Sequence, residues 1–292
     1  MSYDLYLKPR TGSIDPATVL NYFRTRPNYT VEGEQAGYEN EDTGIQFFFA
    51  INRDEPGEPS AEYPVLFNLA YFRPSFFVLE AEPEVTAFVR AFDCVVLDPQ
   101  TDGMGQGEYR RDKLLSGWNF GNEFAYEVIL LRDDDIRQGL VTLPTDTLHD
   151  IWRWNYDRAS LQEQIGDGKF VPIIFVAFVD KRLSTMVIWS DGLPMVFPAV
   201  DYFVVSRHEL DPRLQSGQAQ GYCLLSWREA LAMLEPYMRV YSSRAFVLDY
   251  DIPPGPLVNA ILGLDALPER LGGVPLTSVF DREIVDKVLK QR

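Results

Sequence analysis

Residues 36–52 read AGYENEDTGIQFFFAIN, and this stretch decides the fold of the N-terminal half. Apolar and polar residues alternate over 36–40, and aromatic and branched residues fill 45–52, which is typical of two strands. Between them, Asn40–Gly44 carries turn residues, and Gly44 suits a backbone with positive φ. We therefore predict a hairpin with acidic residues in its turn.

Working outward from this hairpin, strands and helices alternate along the chain. Pro16 follows Asp15, a suitable N-cap, and predicts a helix over Ile14–Arg24. Further strands are predicted at Tyr3–Lys8, Tyr29–Glu34, Val65–Phe72 and Val95–Leu97, and a second helix at Glu82–Phe92. This order favours an α+β sandwich with helices on one face of a mostly antiparallel sheet.

The rest of the chain indicates a second region of the same class. Asp133–Asp135 marks a boundary within 132–146, and Pro144 begins a helical pattern that runs to about Ile165. Further predicted features are a glycine-rich loop at 102–108, helices near 110–116 and at 123–131, a hairpin at Ser190–Gly192, a Ser226/Glu229 capping box and a helix at 281–289. We therefore predict two α+β sub-domains, 1–131 and 147–292, each an antiparallel-rich twisted sheet with packed helices.

The chain is strongly acidic. Its 292 residues include 43 Asp and Glu against 27 Lys and Arg, which gives a formal charge of −16. Residues 1–146 hold 25 acids and 12 bases, whereas residues 147–292 hold 18 and 15, so the first half carries most of the charge. Because such a charge repels phosphate backbones, a nucleic-acid partner is disfavoured.

The acids of the first half cluster on predicted turns. Glu39, Glu41 and Asp42 share one hairpin, and the next loop carries a second group, Asp54, Glu55 and Glu58. If consecutive hairpins point the same way, these six residues form one acidic rim that binds a basic protein partner and speeds its association. The alternative is that acids on loops serve only solubility.

Composition also bears on compartment and cofactors. The first residues lack the basic and then apolar pattern of a secretory signal, and the longest uncharged apolar run, Phe170–Val179, is about half of what a membrane-crossing helix needs. Cys94 and Cys223 lie among apolar neighbours and are predicted to be buried, reduced thiols. We therefore predict a cytoplasmic protein without metal, cofactor or membrane partner.

Motifs that carry chemistry are weak in this sequence. Gly103–Gly107 lies between a strand and a helix but lacks the Lys-Ser/Thr pair and the spacing of a phosphate loop. His149 and His208 have no serine or cysteine elbow nearby. A carboxylate pair remains conceivable, but the sequence offers no way to choose two of 43 acids.

Four short segments resemble a group of uncharacterised bacterial cytoplasmic proteins: 3–7, 38–44, Phe72-Arg73-Pro74 and Gly117-Trp118-Asn119. Some such acidic α+β proteins are similar to immunity proteins of polymorphic-toxin and contact-dependent secretion systems. The resemblance covers mainly residues 1–130 and implies a non-catalytic protein that occludes a basic toxin domain. It assigns no functional residue.

Three functions therefore stay open. The first is this immunity function, with Tyr38 and Tyr63 as candidate anchors for the partner. The second is a hydrolase that uses an unrecognised carboxylate pair or a carboxylate-bound divalent metal. The third is a scaffold with a self-association surface and no small ligand. The sequence leaves the oligomeric state undetermined.

Overall fold

The computed structural model describes residues 1–54, 56–100, 103–215, 221–267 and 271–290. It confirms the α+β class. The chain divides into two compact units, one of Met1–Leu148 with Thr277–Arg292 and the other of His149–Leu276. The boundary predicted at 132–146 lies just before this division, but the structure adds the last sixteen residues to the first unit.

A seven-stranded antiparallel sheet in the order β2-β3-β4-β5-β1-β6-β7 forms the centre of the first unit. Its elements up to residue 148 are β1 (Ser2–Pro9), α1 (Pro16–Arg24), β2 (Tyr29–Glu32), β3 (Gln35–Asn40), β4 (Ile45–Ile51), β5 (Val65–Ala70), α2 (Phe76–Phe92), β6 (Cys94–Asp98), β7 (Gly105–Glu108), α3 (Arg111–Arg132), α4 (Asp134–Gly139) and β8 (Val141–Leu143). The predicted hairpin is confirmed, because β3 and β4 pair from Gln35↔Ala50 to Asn40↔Ile45, and Gly44 has φ +74°.

One face of this sheet carries the core of the unit. Phe23 of α1 stacks on Phe88 of α2 with ring centroids 5.5 Å apart, and both rings contact Phe49 of β4. Leu5, Phe49 and Phe67 are buried on the face of the sheet that α1 and α2 cover. Because side chains alternate along a strand, the residues next to them in the chain point to the opposite face. We call that opposite side the open face.

Helix α2 begins earlier than the sequence indicates. It starts at Phe76 rather than Glu82, so Pro83 lies inside it and not at its start. An interior proline costs about 3 kcal/mol, but Phe76, Phe77 and Val78 are almost fully buried, which contributes about 1.5–3 kcal/mol each. Burial of the first turn therefore outweighs the proline.

Helix α3 is continuous where two helical stretches were predicted. Gly117 and Gly121 resemble helix breakers in the sequence, yet both lie inside α3. A Cβ at Gly121 would overlap the Tyr71 hydroxyl, and one at Gly117 would lie 3.4 Å from the Tyr3 ring. These glycines allow close packing and do not end the helix.

The predicted glycine-rich loop is in part an edge strand. β7 pairs with β6 from Val95↔Glu108 to Asp98↔Gly105. Asp98, which is 2% exposed, accepts hydrogen bonds from the amides of Gln100 (3.1 Å) and Met104 (2.9 Å). These two amides are therefore used by Asp98 within the protein. Residue 102, the first of the predicted loop, lies outside the described residues.

The second unit contains two sheets, five-stranded β13-β12-β10-β9-β16 and three-stranded β11-β15-β14. Its elements follow α5 (Thr145–Ile165) and are β9 (Phe175–Val179), β10 (Arg182–Ser190), β11 (Val196–Pro198), β12 (Tyr202–Ser206), α6 (Pro212–Gln215), β13 (Tyr222–Ser226), α7 (Trp227–Leu234), β14 (Met238–Ser242), β15 (Ala245–Leu248), α8 (Gly255–Leu262) and β16 (Gly273–Val274). The capping box of Ser226 and Glu229 is confirmed at the start of α7.

Short 3-10 helices lie at Pro59–Glu62, Glu235–Tyr237 and Leu276–Ser278.

The hairpin predicted at Asp191–Gly192 is wrong. Both residues have positive φ, as such a turn requires, but β11 pairs with β15 and β10 pairs with β9 and β12. The Asp191 carboxylate accepts the amide of Glu209 at 2.8 Å, which joins this turn to the segment after β12. The turn was recognisable from sequence, but its strand partner was not.

The C-terminal segment completes the first unit with β17 (Val279–Asp281) and α9 (Arg282–Lys290). β17 pairs in parallel with β8, and α9 buries Val285 and Val288 against Tyr126. Fully buried Asp281 accepts hydrogen bonds from the amide and hydroxyl of Ser75, at 2.7 and 2.6 Å. These contacts explain why the segment belongs to the first unit and not to the second.

Candidate protein-binding face

The open face has a polar centre. In the strand register Gly37 pairs with Phe48, Phe48 with Asn68, and Asn68 with Asp4, so these residues form one row across four strands. Asn68 donates its side-chain amide to the Asp4 carboxylate. Phe48 is the aromatic member of a row that is otherwise small or hydrophilic.

A cavity of about 870 Å³ lies on this face. Its lining includes Glu32, Gln35, Gly37, Glu39, Gln46 and Asn68. A Cβ built on Gly37 would meet a single neighbour, the Thr30 carbonyl oxygen at 3.9 Å, and the φ of Gly37 is not in the left-handed region. The missing side chain therefore leaves open space above the strand and is not needed for the backbone conformation.

Two acidic residues of the β2 and β3 strands that line the cavity, Glu32 and Glu39, have no positive charge paired with them in the part of the chain that the structure describes. Among the described residues, no basic side chain forms an ion pair with Glu32 or Glu39. Glu39 accepts a hydrogen bond of 2.8 Å from the Gln46 amide. The basic residue in the lining is Arg73, whose guanidinium lies 5.8 Å from the centre of the Phe77 ring.

Several carboxylates elsewhere around the same sheet form ion pairs. Arg10 makes two hydrogen bonds to Glu108, at 2.6 and 2.7 Å, and these lower the pKa of that carboxyl. Arg53 pairs with Glu34 and likewise lowers its pKa. Lys8 pairs with Glu62 at 2.9 Å. Glu32 and Glu39 thus differ from these neighbours in having no basic partner among the described residues.

A buried acid beneath the β3–β4 hairpin positions one edge of this face. Glu80 of α2 is 1% exposed, and its Oε1 accepts hydrogen bonds from Tyr38 Oη (2.9 Å), Asn40 Nδ2 (2.8 Å) and Thr43 Oγ1 (3.1 Å). Within the turn, the Gly44 amide donates to the Asn40 carbonyl at 2.7 Å. Glu80 therefore fixes the turn that carries the predicted acidic residues, a role that its sequence position did not reveal.

The six predicted partner-binding residues do not form one rim. Glu39, Glu41 and Asp42 lie at the start of β4, whereas Asp54 and Glu58 lie beyond its other end; Glu55 lies outside the described residues. The two ends of a seven-residue strand are about 20 Å apart. Consecutive hairpins of an antiparallel meander alternate between the two ends of the sheet, so the condition for a single rim is not met. Their role in partner binding stays a prediction for each group.

The aromatic anchors expected for the partner are buried. Tyr38 is 4% exposed and stacks on Phe47 with centroids 4.3 Å apart. Tyr63 is 1% exposed and lies under the Lys8 ammonium. Tyr63 is therefore not available to a partner at the surface, whereas Tyr38 contributes to the lining of the cavity; Phe48 is the aromatic residue of the lining that lies on the open face.

A second cavity, of about 650 Å³, lies beside α2 and the start of α3. Its buried acid, Glu82, is 2% exposed and pairs with Arg111 at 2.8 Å. Glu82 also accepts a hydrogen bond from Tyr109 at 3.1 Å, and burial raises the pKa of Tyr109. This carboxylate is compensated, unlike those of the open face.

The remaining sequence candidates form no chemical site in the described chain. Cys94 and Cys223 are buried free thiols, as predicted. No three His, Cys, Asp or Glu side chains of the described residues could together hold a metal ion. None of the helices described combines the length and apolar character needed to cross a bilayer.

Comparison with known proteins does not assign the chain to a family. No protein-family model, curated protein or solved structure matches the chain. The resemblance to immunity proteins therefore stays a prediction.

Proposed function

We propose that the chain is a non-catalytic binding protein whose open face receives a basic protein domain, and that it acts as a cytoplasmic immunity protein by occluding a toxin. The observation that carries the proposal is the cavity of about 870 Å³ lined by Glu32 and Glu39, which have no ion partner among the described residues. Uncompensated acids attract a cationic surface and select against acidic ones.

The polar lining suits a protein ligand. Gln35, Gln46 and Asn68 each offer a donor and an acceptor, and such amides form adaptable hydrogen bonds across an interface. Phe48 supplies an apolar floor, and the absence of a side chain at Gly37 opens space above it. A partner's lysine or arginine can place its stem on this ring and its charge near Glu32 or Glu39.

The hydrolase alternative gains no support from this cavity. A glycosidase-type pair needs carboxylates about 5–9.5 Å apart. Glu32 pairs with Gln35, and Glu39 lies four residues further along β3, so the two positions are separated by about 14 Å along the strands. The cavity acids do not form a catalytic dyad.

The test measures binding of the purified product of the adjacent gene to four proteins: wild type, Gly37→Ile, Glu32→Lys with Glu39→Lys, and Asp167→Lys with Asp251→Lys. We expect the isoleucine to fill the cavity and the double reversal to repel the partner, each weakening binding at least about tenfold. Asp167 and Asp251 are exposed acids of the second unit, and their double reversal is the matched control because it changes the net charge by the same amount.

The salt dependence provides an independent measurement. Binding of wild type should weaken as ionic strength rises, whereas the double reversal should lose most of that dependence. Absence of binding by the adjacent gene product would contradict the immunity function. Tight binding that neither Gly37→Ile nor the double reversal affects would show that the partner uses another surface.

A further inference from the structure

Helix α3 exposes two aromatic side chains at its middle. Phe120 is 57% exposed and Phe124 is 56% exposed, and they straddle the midpoint of the 22-residue helix. Leu131, which is 40% exposed, lies two turns beyond Phe124. Exposed aromatic residues that adjoin one another on a helix are unusual on a monomeric surface and mark an interaction site.

The spacing places these residues on one stripe. Positions 113, 120, 124, 127 and 131 fall within a narrow sector of a helix with 3.6 residues per turn. The opposite side of α3 buries Leu114, Trp118 and Ala125 in the first unit. We call the set Lys113, Phe120, Phe124, Glu127 and Leu131 the α3 stripe.

The charges of the α3 stripe identify its partner. Lys113 precedes the aromatic pair and forms no ion pair with any described residue. Glu127 follows the pair and is close enough to Lys287 of α9 to help Glu123, the ion-pair partner of that lysine, raise its pKa. A second α3 running in the opposite direction would bring its Glu127 to the Lys113 end and its Lys113 to the Glu127 end. A surface with apolar residues in the middle and opposite charges at its two ends is complementary to itself under a two-fold rotation.

We propose that the α3 stripe is the interface of a two-fold symmetric homodimer in which two copies of α3 pack antiparallel. In a register that places Phe120 opposite Phe124 of the second copy, Lys113 lies opposite residue 131 of that copy. Glu127 of the second copy is then four residues away, about 6 Å along the axis, within reach of a lysine side chain. The aromatic pairs supply buried area, and the two ion pairs fix the antiparallel direction.

The dimer interface is separate from the open face. α3 packs on α2, and α2 covers the helical side of the seven-stranded sheet. No residue of the α3 stripe lines the cavity, although Arg73 at the margin of the cavity is hydrogen-bonded to Asn122 and Tyr126 on another side of α3. Dimerisation leaves Glu32 and Glu39 accessible, so the inference does not depend on the proposed function.

Sedimentation velocity of the full-length chain over a range of micromolar concentrations tests this inference. Wild type should dimerise reversibly, and Phe124→Glu should raise the dimer dissociation constant at least about tenfold. Ile252→Glu is the matched control, because Ile252 is 80% exposed and lies in the second unit. Circular dichroism checks that the variants stay folded.

Charge reversal makes the test specific for two identical copies. Lys113→Glu and Glu127→Lys should each weaken self-association, but an equimolar mixture of these two variants should form a heterodimer, since both ion pairs are then restored. The chain with both substitutions should also dimerise. A wild type that stays monomeric, a Phe124→Glu variant that still dimerises, or a mixture without heterodimer would overturn the inference.

Discussion

Replacing Glu80 tests how the buried carboxyl positions the β3–β4 hairpin. Glu80→Ala removes the acceptor of three hydrogen bonds from Tyr38, Asn40 and Thr43. A buried donor left without an acceptor costs about 1–3 kcal/mol. Because the three donors share one oxygen, their contributions are not additive, and we expect a total loss of about 3–5 kcal/mol.

Glu80→Gln is the control substitution for Glu80→Ala. The amide keeps the size of the side chain and retains a carbonyl oxygen for the same three donors, so we expect a loss of only about 1 kcal/mol. Urea unfolding monitored by tryptophan fluorescence gives both values, and hydrogen exchange of the Gly44 amide reports on the turn itself. Equal destabilisation by alanine and glutamine would refute the acceptor role of Oε1.

Three further predictions concern other elements. Gly121→Ala should destabilise the first unit by up to about 2 kcal/mol, measured by thermal unfolding, because displacing the Tyr71 ring costs about 1–3 kcal/mol and the better helix propensity of alanine offsets about 1 kcal/mol of this. Arg213 lowers the pKa of Asp211 from 3.8 to about 2, so the ionised Asp211 contributes to the stability of the fold above about pH 4 and loses that contribution towards pH 2. In a series of unfolding measurements between about pH 5 and pH 2, Asp211→Asn should therefore lose less stability on acidification than wild type. Burial raises the pKa of the Cys94 thiol to about 12, so iodoacetamide at pH 8 should alkylate it far more slowly in the native than in the unfolded chain.

The local signals of the sequence were sufficient for most strands and caps. Alternation predicted β1, turn residues and strand-forming side chains predicted β3 and β4, and Asp15 caps α1 by accepting the Thr18 amide at 3.3 Å. These features depend on residues within a few positions of each other. The periodicity that places Phe49 on the core side also places Phe48 on the open face.

Features set by distant residues could not be predicted in this way. Asp281 binds Ser75 from 206 positions away, and only this contact and its neighbours assign the last segment to the first unit. Gly121 resembles a helix breaker in the sequence, and only the folded structure shows that it leaves room for Tyr71. Glu80 was one acid among 43, and its neighbours in the chain carry no sign of the three donors that meet it.

The acidic rim failed for a topological reason that the sequence did contain. In a meander the turn before a strand and the turn after it lie at opposite ends, so Glu41 and Glu58 could not share an edge of the sheet. The sequence did predict the strands on which this argument depends. What it lacked was the pairing of β2 with β3, which brings Glu32 into the same cavity as Glu39.

The distribution of ion pairs, rather than the total charge, separates the binding and solubility explanations. The first unit holds 28 acidic and 16 basic residues, so an excess of acids is unavoidable, but solubility gives no reason for where the unpaired ones lie. Arginines pair with Glu34 and Glu108 at the periphery of the sheet, whereas Glu32 and Glu39 face a cavity without an ion partner among the described residues, as Glu41 and Glu58 lack one on the loops. If the charge served only solubility, reversing Glu32 and Glu39 would alter binding of a basic partner no more than reversing the exposed acids Asp167 and Asp251. A larger effect at the cavity is therefore the outcome that only the binding explanation predicts.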